Sequence, residues 1–226
     1  MMMSGPGPKQ HVFASLAQIA QALGHAHRLE ILEHLGQGER SVQDLAARIG
    51  LTMANCSRHL QLLRRVALVA GRRDGKRVYY RLAGEDAVVG LLGALSRVGE
   101  RNSAEIARVT ATYFRARDEF EPVSRDELLD RLRCGAATVL DVRPEDEFAS
   151  GHLPGALNIP LSQLERRLAQ LPPDREVVAY CRGPFCAYAH EAVRLLKADG
   201  RQATRLREGW PEWRIAERLD DERRAA

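Results

Sequence analysis

Apolar residues recur every three to four positions through most of the first 120 residues, a spacing that predicts helices. The predicted helices run over 11–23, 26–35, 42–49 and 53–66. Ser41 and Thr52 are suited to cap the third and fourth helices, and Gly50 ends the third. A short helix, a glycine turn and a longer helix in this order are typical of a helix-turn-helix motif.

The period of the pattern then changes from helical to alternating. Val78, Tyr80 and Leu82 alternate with polar or aromatic residues, and Asp74-Gly75 precedes them, which predicts a β-hairpin. From 85 to 119 the helical period returns without a proline, so we expect one long helix or two in series. A small domain cannot bury such a helix alone.

The second half alternates strands with helices. Ser124 and Glu127 form a capping box that opens a helix over 125–132. Buried strands are predicted over 137–142 and 176–180, and helices over 163–171 and 187–198. This order predicts an α/β domain with a parallel sheet, after a mainly α winged helix-turn-helix domain. The expected divisions are a disordered N-terminus (1–11), a DNA-binding and dimerisation domain (12–119), a linker (120–124), an α/β domain (125–219) and a C-terminal tail (220–226).

Composition and charge agree with two domains in 226 residues. Residues 1–120 hold 17 Lys and Arg against 11 Asp and Glu, whereas residues 121–226 hold 17 against 19. The net charge of +4 therefore belongs to the first half, which indicates a polyanionic partner there. No apolar stretch reaches membrane-spanning length and no secretory pattern opens the chain, so we expect a cytoplasmic protein with no membrane partner. In that compartment the four cysteines are expected to be free, reactive or metal-bound.

Positive charge is densest around the predicted fourth helix and hairpin. The basic residues there are Arg58, Arg64, Arg65, Arg72, Arg73, Lys76, Arg77 and Arg81. Side chains on the helix would read base edges in the major groove, while cations at the hairpin tip would contact phosphates. The base-reading candidates are Asn55, Ser57, Arg58 and Gln61, and the phosphate-contacting candidates are Arg64, Arg72, Arg73, Lys76 and Arg77. His59 is assigned to the same surface, either facing phosphate or supporting the fold.

At these residues the segment resembles the ArsR/SmtB family of winged-helix repressors. The matching motifs are His27-Arg28-Leu29 with Ile31-Leu32, Ser57-x-His59-Leu60-x-x-Leu63, Leu68-Val69, and Asp74-Gly75-Lys76 ahead of Tyr79-Tyr80. The resemblance covers about residues 12–118. It implies a homodimer in which the first and last helices pack across the two-fold axis and the dimer reads two operator half-sites on double-stranded DNA.

The metal ligands that members of this family often carry are missing at the matching places. Residues 42–49 contain no cysteine, and residues 85–119 contain no histidine or cysteine, so we predict no metal site. His25 and His27 are interpreted as helix-start residues. Cys56 is interpreted as a packing residue, with modification that alters DNA binding as the alternative.

The second predicted buried strand runs straight into Cys181-Arg182-Gly183-Pro184-Phe185-Cys186 and then a helix. Ligands of open α/β sheets bind at this end of the strands. Loop amides and the helix N-terminus would stabilise an anion there and lower the pKa of the Cys181 thiol, which predicts a nucleophile.

This half resembles a single rhodanese domain over about residues 122–219. The matching motifs are Asp141-Val142-Arg143, the segment 147–160, the cysteine loop, and Gly209-Trp210-x-x-Trp213. The resemblance implies that Cys181 takes sulfane sulfur from thiosulfate or a persulfide, holds it as a persulfide and passes it to a thiol acceptor. Loop amides from Arg182 to Cys186 would hold the terminal sulfur, and Arg182 would attract an anionic donor.

Loop length argues against the related phosphatases, which need an arginine six positions after the cysteine, where this chain has Ala187. Cys186 stands where rhodaneses often have a basic residue. It is either a packing residue or a partner that attacks the Cys181 persulfide, and a bridge would require Cα atoms within about 7 Å. Cys134 is interpreted as a surface thiol, and Asp141, Arg143 and Glu147 as residues that fix the fold.

The sequence thus favours a dimeric transcriptional regulator in which sulfane sulfur or the redox state of Cys181 changes DNA affinity. The alternative is an enzyme that is principally a thiosulfate or persulfide sulfurtransferase with an accessory DNA-binding domain. Neither hypothesis requires a cofactor.

Overall fold

Two compact units, Met1–Leu92 and Gly93–Ala226, make up the chain. The structure is a computed structural model that describes residues 7–109, 112, 122–183 and 186–225. The elements of the first part are α1 (Pro8–Leu23), α2 (Ala26–Gly36), β1 (Arg40–Ser41), α3 (Val42–Ile49), α4 (Met53–Arg65), β2 (Val69–Asp74), β3 (Arg77–Leu82), α5 (Glu85–Asn102) and α6 (Ala104–Val109). Between β3 and α6 only short breaks interrupt the regular structure, and α5 crosses the division between the units.

Capping residues and a glycine set the ends of α3 and α4 in the first unit. The Ser41 hydroxyl accepts a hydrogen bond from the amide of Asp44, and the Thr52 hydroxyl accepts one from that of Asn55. Gly50 ends α3 in the left-handed conformation, with φ of 71°. The hairpin of β2 and β3 pairs Asp74 with Arg77, and β1 adds a third, antiparallel strand that the alternation did not predict. These elements form the predicted winged helix-turn-helix.

The N-terminal boundary differs from the prediction. Residues 8–11, expected to be disordered, form the first turn of α1. Pro8 favours this position because its ring fixes φ at a helical value, and the Gln10 side chain accepts a hydrogen bond from the Gly7 amide. Residues 1–6 lie outside the described part of the chain. The predicted helical segment 85–119 is two helices in series as far as it is described.

The second part contains a parallel four-stranded sheet in the order β5-β4-β6-β7. Its elements are α7 (Arg125–Arg133), β4 (Ala137–Asp141), α8 (Glu145–Ser150), β5 (Leu157–Asn158), α9 (Leu164–Arg167), β6 (Glu176–Tyr180), α10 (Ala187–Ala198), β7 (Ala203–Arg205) and α11 (Trp210–Ala225). The predicted α/β fold with a parallel sheet is confirmed. The predicted helix over 163–171 is instead a short α9 between single 3₁₀ turns.

Alternate residues of the two central strands enter separate cores on the two faces of the sheet. Val177 and Ala179 pack in one core with α10, while Val178 and Tyr180 pack in the other with Trp210 and its neighbours. Burial on both faces explains why β6 has no polar alternation.

Two boundaries of this domain also differ from the prediction. Val123, placed in the linker, is buried and bridges Leu206, so the domain begins earlier than 125. Residues 220–225, expected to be a tail, continue α11, and Asp220 pairs with Arg125 at 2.8 Å. Residues 120 and 121 lie outside the described residues. The division at 119/120 itself remains a prediction.

Candidate functional site

The recognition helix α4 separates apolar anchors from polar side chains. Its buried residues are Cys56, Leu60 and Leu63. The exposed candidates are Asn55, Arg58, Gln61 and Arg64, and Ser57 and His59 are half-buried. Steps of three residues place Asn55, Arg58 and Gln61 along one exposed stripe of the helix. This stripe has the residue types that the sequence assigned to base edges, and that role remains a prediction.

His59 lies against the start of α2. Its ring centroid is 4.5 Å from that of His25 and 6.0 Å from that of His27. Burial, and then the neighbouring positive groups, His25 first, lower the pKa of His59. His25 itself caps α2 by accepting a hydrogen bond from the His27 amide, as its helix-start interpretation requires. Of the two roles proposed for His59, this packing favours support of the fold. In the part of the chain that the structure describes, no three His, Cys, Asp or Glu side chains are arranged to hold a metal ion.

In the hairpin of β2 and β3, which forms the wing of the winged helix-turn-helix, Arg72 forms an ion-pair cluster that was not predicted from the sequence. Arg72 donates two hydrogen bonds to the carboxylate of Glu39, at 2.7 and 3.2 Å, and a third to Asp74 at 3.1 Å. The Arg72 guanidinium also lies over the ring of Tyr79. Arg72 lowers the pKa of Glu39 mainly through this hydrogen bond. These hydrogen bonds therefore tie β2 of the wing to Glu39, and two carboxylates of the protein largely balance the positive charge of Arg72.

The other cations of the wing differ in their hydrogen bonding and in their distance from the hairpin turn. Arg73 donates a hydrogen bond to the Gly75 carbonyl at 3.2 Å across the turn of the hairpin. Lys76 and Arg77 are exposed next to that turn. They are therefore better placed than Arg72 for the predicted phosphate contacts.

The cysteine loop begins where the central strand β6 ends. Cys181 follows Tyr180 directly, is 2 % exposed, and forms a disulfide with Cys186, with Cα atoms 6.2 Å apart. That separation is within the usual range for a disulfide. Cys186 is the N-cap residue of α10. Pro184 and Phe185 lie outside the described residues. The disulfide is the contact that the redox-partner role of Cys186 requires, while its burial in the same core as Cys181 fits the packing role, and the choice between them remains a prediction.

Arg182 is committed to an ion pair. Its guanidinium donates to both oxygens of the fully buried Glu147, at 2.7 to 3.1 Å, and lies over the ring of Tyr188. The resemblance to rhodaneses predicts that Arg182 attracts an anionic donor. Its charge is instead paired with a carboxylate that stands 35 positions earlier.

The predicted amide cradle is also smaller than expected. Pro184 has no N–H group, and the N–H of Cys186 donates to the carbonyl of Gly183 at 3.1 Å. The helix N-terminus of α10 still favours negative charge beside the loop. Anion stabilisation at this loop therefore depends on fewer donors than the sequence suggested.

The segment before α11 holds the cysteine loop in place. The amide of Trp210 donates to the carbonyl of Cys181 at 3.2 Å. A Cβ atom at Gly209 would lie 2.2 Å from the carbonyl oxygen of Arg182, so no larger residue fits there without movement. Gly209 and Trp210 therefore set the path of the loop, which assigns a physical role to this motif.

Next to the loop, a buried charge network fixes the end of β4. Arg143 and Asp141 are fully buried and paired at 2.6 Å, and the Tyr180 hydroxyl donates to the same carboxylate. Arg143 also donates to the Gly151 carbonyl at 2.8 Å. The arrangement matches the structural role expected for Asp141 and Arg143, while Glu147 serves the loop through Arg182.

A cleft opens beside the loop. Its volume is about 590 Å³, and Pro144, Leu161 and Tyr188 are among the residues that line it. Tyr188, which lines the cleft, also lies under the Arg182 guanidinium.

The two remaining cysteines differ in environment. Cys56 is fully buried, as its interpretation as a packing residue requires, and this burial raises the pKa of its thiol to about 11. Cys134 is exposed at the end of α7, as expected. Among the described residues, no helix combines the length and apolar character needed to cross a membrane.

The fold and the loop define a winged helix-turn-helix domain joined to a rhodanese-like domain. Family models agree: a helix-turn-helix domain matches residues 23–72, and a rhodanese-like domain matches residues 124–216. The HTH-type transcriptional regulator Rv0324 of Mycobacterium tuberculosis is 41% identical over 208 residues, covering 92% of this chain and 91% of that protein. The chain therefore belongs to the family of Rv0324, and it is a transcriptional regulator with a rhodanese-like domain.

Partial matches concern one domain each. The human thiosulfate:glutathione sulfurtransferase is 50% identical over 50 residues, which are 22% of this chain and 44% of that protein. A solution structure of the homodimeric winged helix-turn-helix domain of Mb0332 from Mycobacterium bovis has 36% identity and a TM-score of 0.41, covering 46% of this chain and 95% of that one.

Proposed function

We propose that the rhodanese-like domain takes up sulfane sulfur on Cys181 and that the resulting state of the cysteine loop changes the affinity of the regulator for its operator DNA. Thiosulfate or a persulfide would donate the sulfur, and a thiol would accept it. The observation that carries the proposal is the Cys181–Cys186 pair at the carboxyl end of the central strand, in a chain that also carries a DNA-reading domain.

The DNA-reading part of the proposal assigns bases to the stripe of Asn55, Arg58 and Gln61 and phosphates to Lys76 and Arg77. All five side chains are exposed, and α4 is capped and anchored so that the stripe is rigidly presented. Arg64 and Arg73 would add phosphate contacts, and Ser57 would stand at the edge of the stripe. A protein that binds chromosomal DNA in this way would act in the cytoplasm.

The proposal includes a homodimer. Large apolar side chains are exposed along α1, α5 and α6: Val12, Phe13, Leu16, Leu91, Leu95, Val98, Ile106 and Val109. Phe13 is 58% exposed and Val98 is 55% exposed, so burial against a second copy would remove substantial apolar area from water. Such a dimer would also bury the helix that the sequence predicts to be too long for one small domain and would present two recognition helices to the DNA.

Mobility shifts with operator DNA test the coupling. The reduced protein, the disulfide form and the protein treated with thiosulfate or a small persulfide are compared at one salt concentration, because phosphate contacts make affinity depend on salt. We expect the forms to differ in affinity and Cys181→Ser to bind equally under all conditions. Cys134→Ser is the matched control and should behave as the wild type. Identical binding by wild type and Cys181→Ser in every condition would refute the coupling.

A second candidate function is that of a sulfurtransferase in which the DNA-binding domain has an accessory role. The cysteine loop and the similarity to a human enzyme of that name favour it. It predicts rapid turnover with thiosulfate and a thiol or cyanide acceptor, lost in Cys181→Ser, together with DNA binding that ignores sulfur. Slow turnover with sulfur-dependent DNA binding would instead favour the regulatory function.

A further inference from the structure

We propose that Cys186 resolves the Cys181 persulfide, so that the domain releases bound sulfane sulfur as hydrosulfide and is left as the Cys181–Cys186 disulfide. The inference rests on the proposed function, because it needs Cys181 to accept sulfur first. It adds an activity, the reduction of sulfane sulfur by the chain's own dithiol.

Reach is the first argument. The two sulfur atoms are bonded while Cys181 directly follows β6 and Cys186 is the N-cap of α10. The attacking sulfur therefore needs no rearrangement of either element to contact Sγ of Cys181. A reaction within one loop also has a large advantage over the same reaction with a thiol from solution, because its reactants are already positioned.

Access is the second argument. Cys181 is 2 % exposed and Cys186 is 7 % exposed, so an external thiol must enter the loop to reach the inner sulfur. Cys186 is already inside. Its position as the N-cap of α10 places a thiolate at the positive end of a 12-residue helix, which stabilises the nucleophilic form.

Occupied donors are the third argument. The Arg182 guanidinium is paired with Glu147, and the Cys186 amide donates to the Gly183 carbonyl, so neither is directed to a terminal sulfur in this arrangement. Once the terminal sulfur is protonated, it can leave as hydrosulfide when a thiolate attacks the inner sulfur.

The chemistry balances without an external oxidant. Cys181 thiolate first attacks the sulfane sulfur of thiosulfate and expels sulfite, giving the persulfide, which takes a proton. Cys186 thiolate then attacks Sγ of Cys181, a new Sγ–Sγ bond forms, and the bond to the terminal sulfur breaks with its electron pair to give hydrosulfide. The sulfane sulfur is reduced and the two cysteines are oxidised. A dithiol, or two monothiol molecules, then reduces the disulfide for the next cycle.

Intact mass and product analysis of the full chain test the inference. The protein is reduced, freed of reductant and treated with thiosulfate, and sulfite, sulfide and mass are followed without further thiol. In the wild type we expect sulfite and sulfide in equal, stoichiometric amounts and a final mass lower than that of the reduced chain by two hydrogens. Cys186→Ser should release sulfite but no sulfide and should gain one sulfur atom. Serine is favoured at an N-cap, so this variant preserves the start of α10. Cys134→Ser, the matched control, should behave as the wild type.

The outcomes separate the inference from the proposed function. If the wild type keeps the added sulfur, as a persulfide or as a bridging trisulfide, and releases no sulfide, the inference is overturned while Cys181 remains a sulfur acceptor. If Cys186→Ser gains sulfur neither from thiosulfate nor from a small-molecule persulfide, the proposed uptake on Cys181 fails, and the inference fails with it. The wild-type measurement alone decides the first case, whatever the stability of the variant.

Discussion

Gly209 is expected to control the geometry of the cysteine loop, and Gly209→Ala tests this directly. The added Cβ would lie 2.2 Å from the carbonyl oxygen of Arg182, 2.4 Å from its carbonyl carbon and 2.5 Å from the amide nitrogen of Gly183. All three are backbone atoms, so no side chain can rotate away. Since non-bonded carbon atoms pack at about 3.5–4.0 Å, the two segments must separate by about 1 Å.

This displacement has two measurable consequences. Overpacking of this kind costs about 1–3 kcal/mol of the free energy of unfolding, which urea denaturation measures. The same displacement moves Cys181, whose carbonyl accepts from Trp210, and a shift of about 1 Å at a reacting group slows reaction about 100-fold. We therefore expect sulfite release from thiosulfate by the reduced variant to slow by about that factor.

A second glycine of the same loop provides the control for stability. Among the residues that the structure describes, none has a heavy atom within 4 Å of a Cβ built at Gly183, so Gly183→Ala should unfold at the same urea concentration as the wild type. Wild-type stability together with wild-type sulfite release in Gly209→Ala would refute the view that this contact sets the loop.

Further predictions concern buried and titrating groups. Asp141→Asn removes the anion that is paired with the buried Arg143 and should lower the free energy of unfolding by about 3–5 kcal/mol in urea titrations, and a loss under about 1 kcal/mol would contradict the assigned role. Alkylation of the native protein at mildly alkaline pH should label Cys134 and spare Cys56, whose pKa is raised to about 11 by burial, as peptide mass analysis would show; equal labelling would contradict the packing role. Because burial lowers the pKa of His59 below its ordinary value of 6.5, the unfolded chain binds the proton more readily. The contribution of neutral His59 to the stability of the folded protein should therefore be complete above pH 6.5 and decline below it. The thermal midpoint of the wild type should then fall more steeply on acidification than that of His59→Gln. Parallel pH profiles of the two proteins would refute this.

Features encoded by neighbouring residues could be predicted from the sequence. The caps at Ser41, Thr52 and Ser124 form hydrogen bonds with residues three positions later, so each is visible in a short stretch of chain. The turn of the hairpin at Asp74-Gly75 and the buried strand β6 were predicted for the same reason. Boundaries were less secure: α1 begins at Pro8, where the proline and the hydrogen bond from the Gly7 amide to the Gln10 side chain open the helix, and residues 220–225, expected to be a tail, belong to α11.

Long-range partners could not be predicted in this way. Arg72 is paired with a residue 33 positions earlier, and Arg182 with one 35 positions earlier. Neither Glu39 nor Glu147 forms a local pattern with its arginine. The only available signal was that each acid stands near a segment already suspected of function.

These two ion pairs change how the candidate chemistry is understood. A count of cations assigned Arg72 to phosphate and Arg182 to an anionic donor, whereas both guanidiniums have carboxylate partners within the protein. The guanidinium of Arg182 is therefore not directed to an anionic donor in this arrangement. What distinguishes this loop is a second sulfur atom within bonding distance of the first, at the N-terminus of a helix. A loop that stabilised a persulfide by charge would store sulfur, whereas the resolution by Cys186 that we propose would convert the arrival of sulfur into a disulfide, a covalent change in the protein itself.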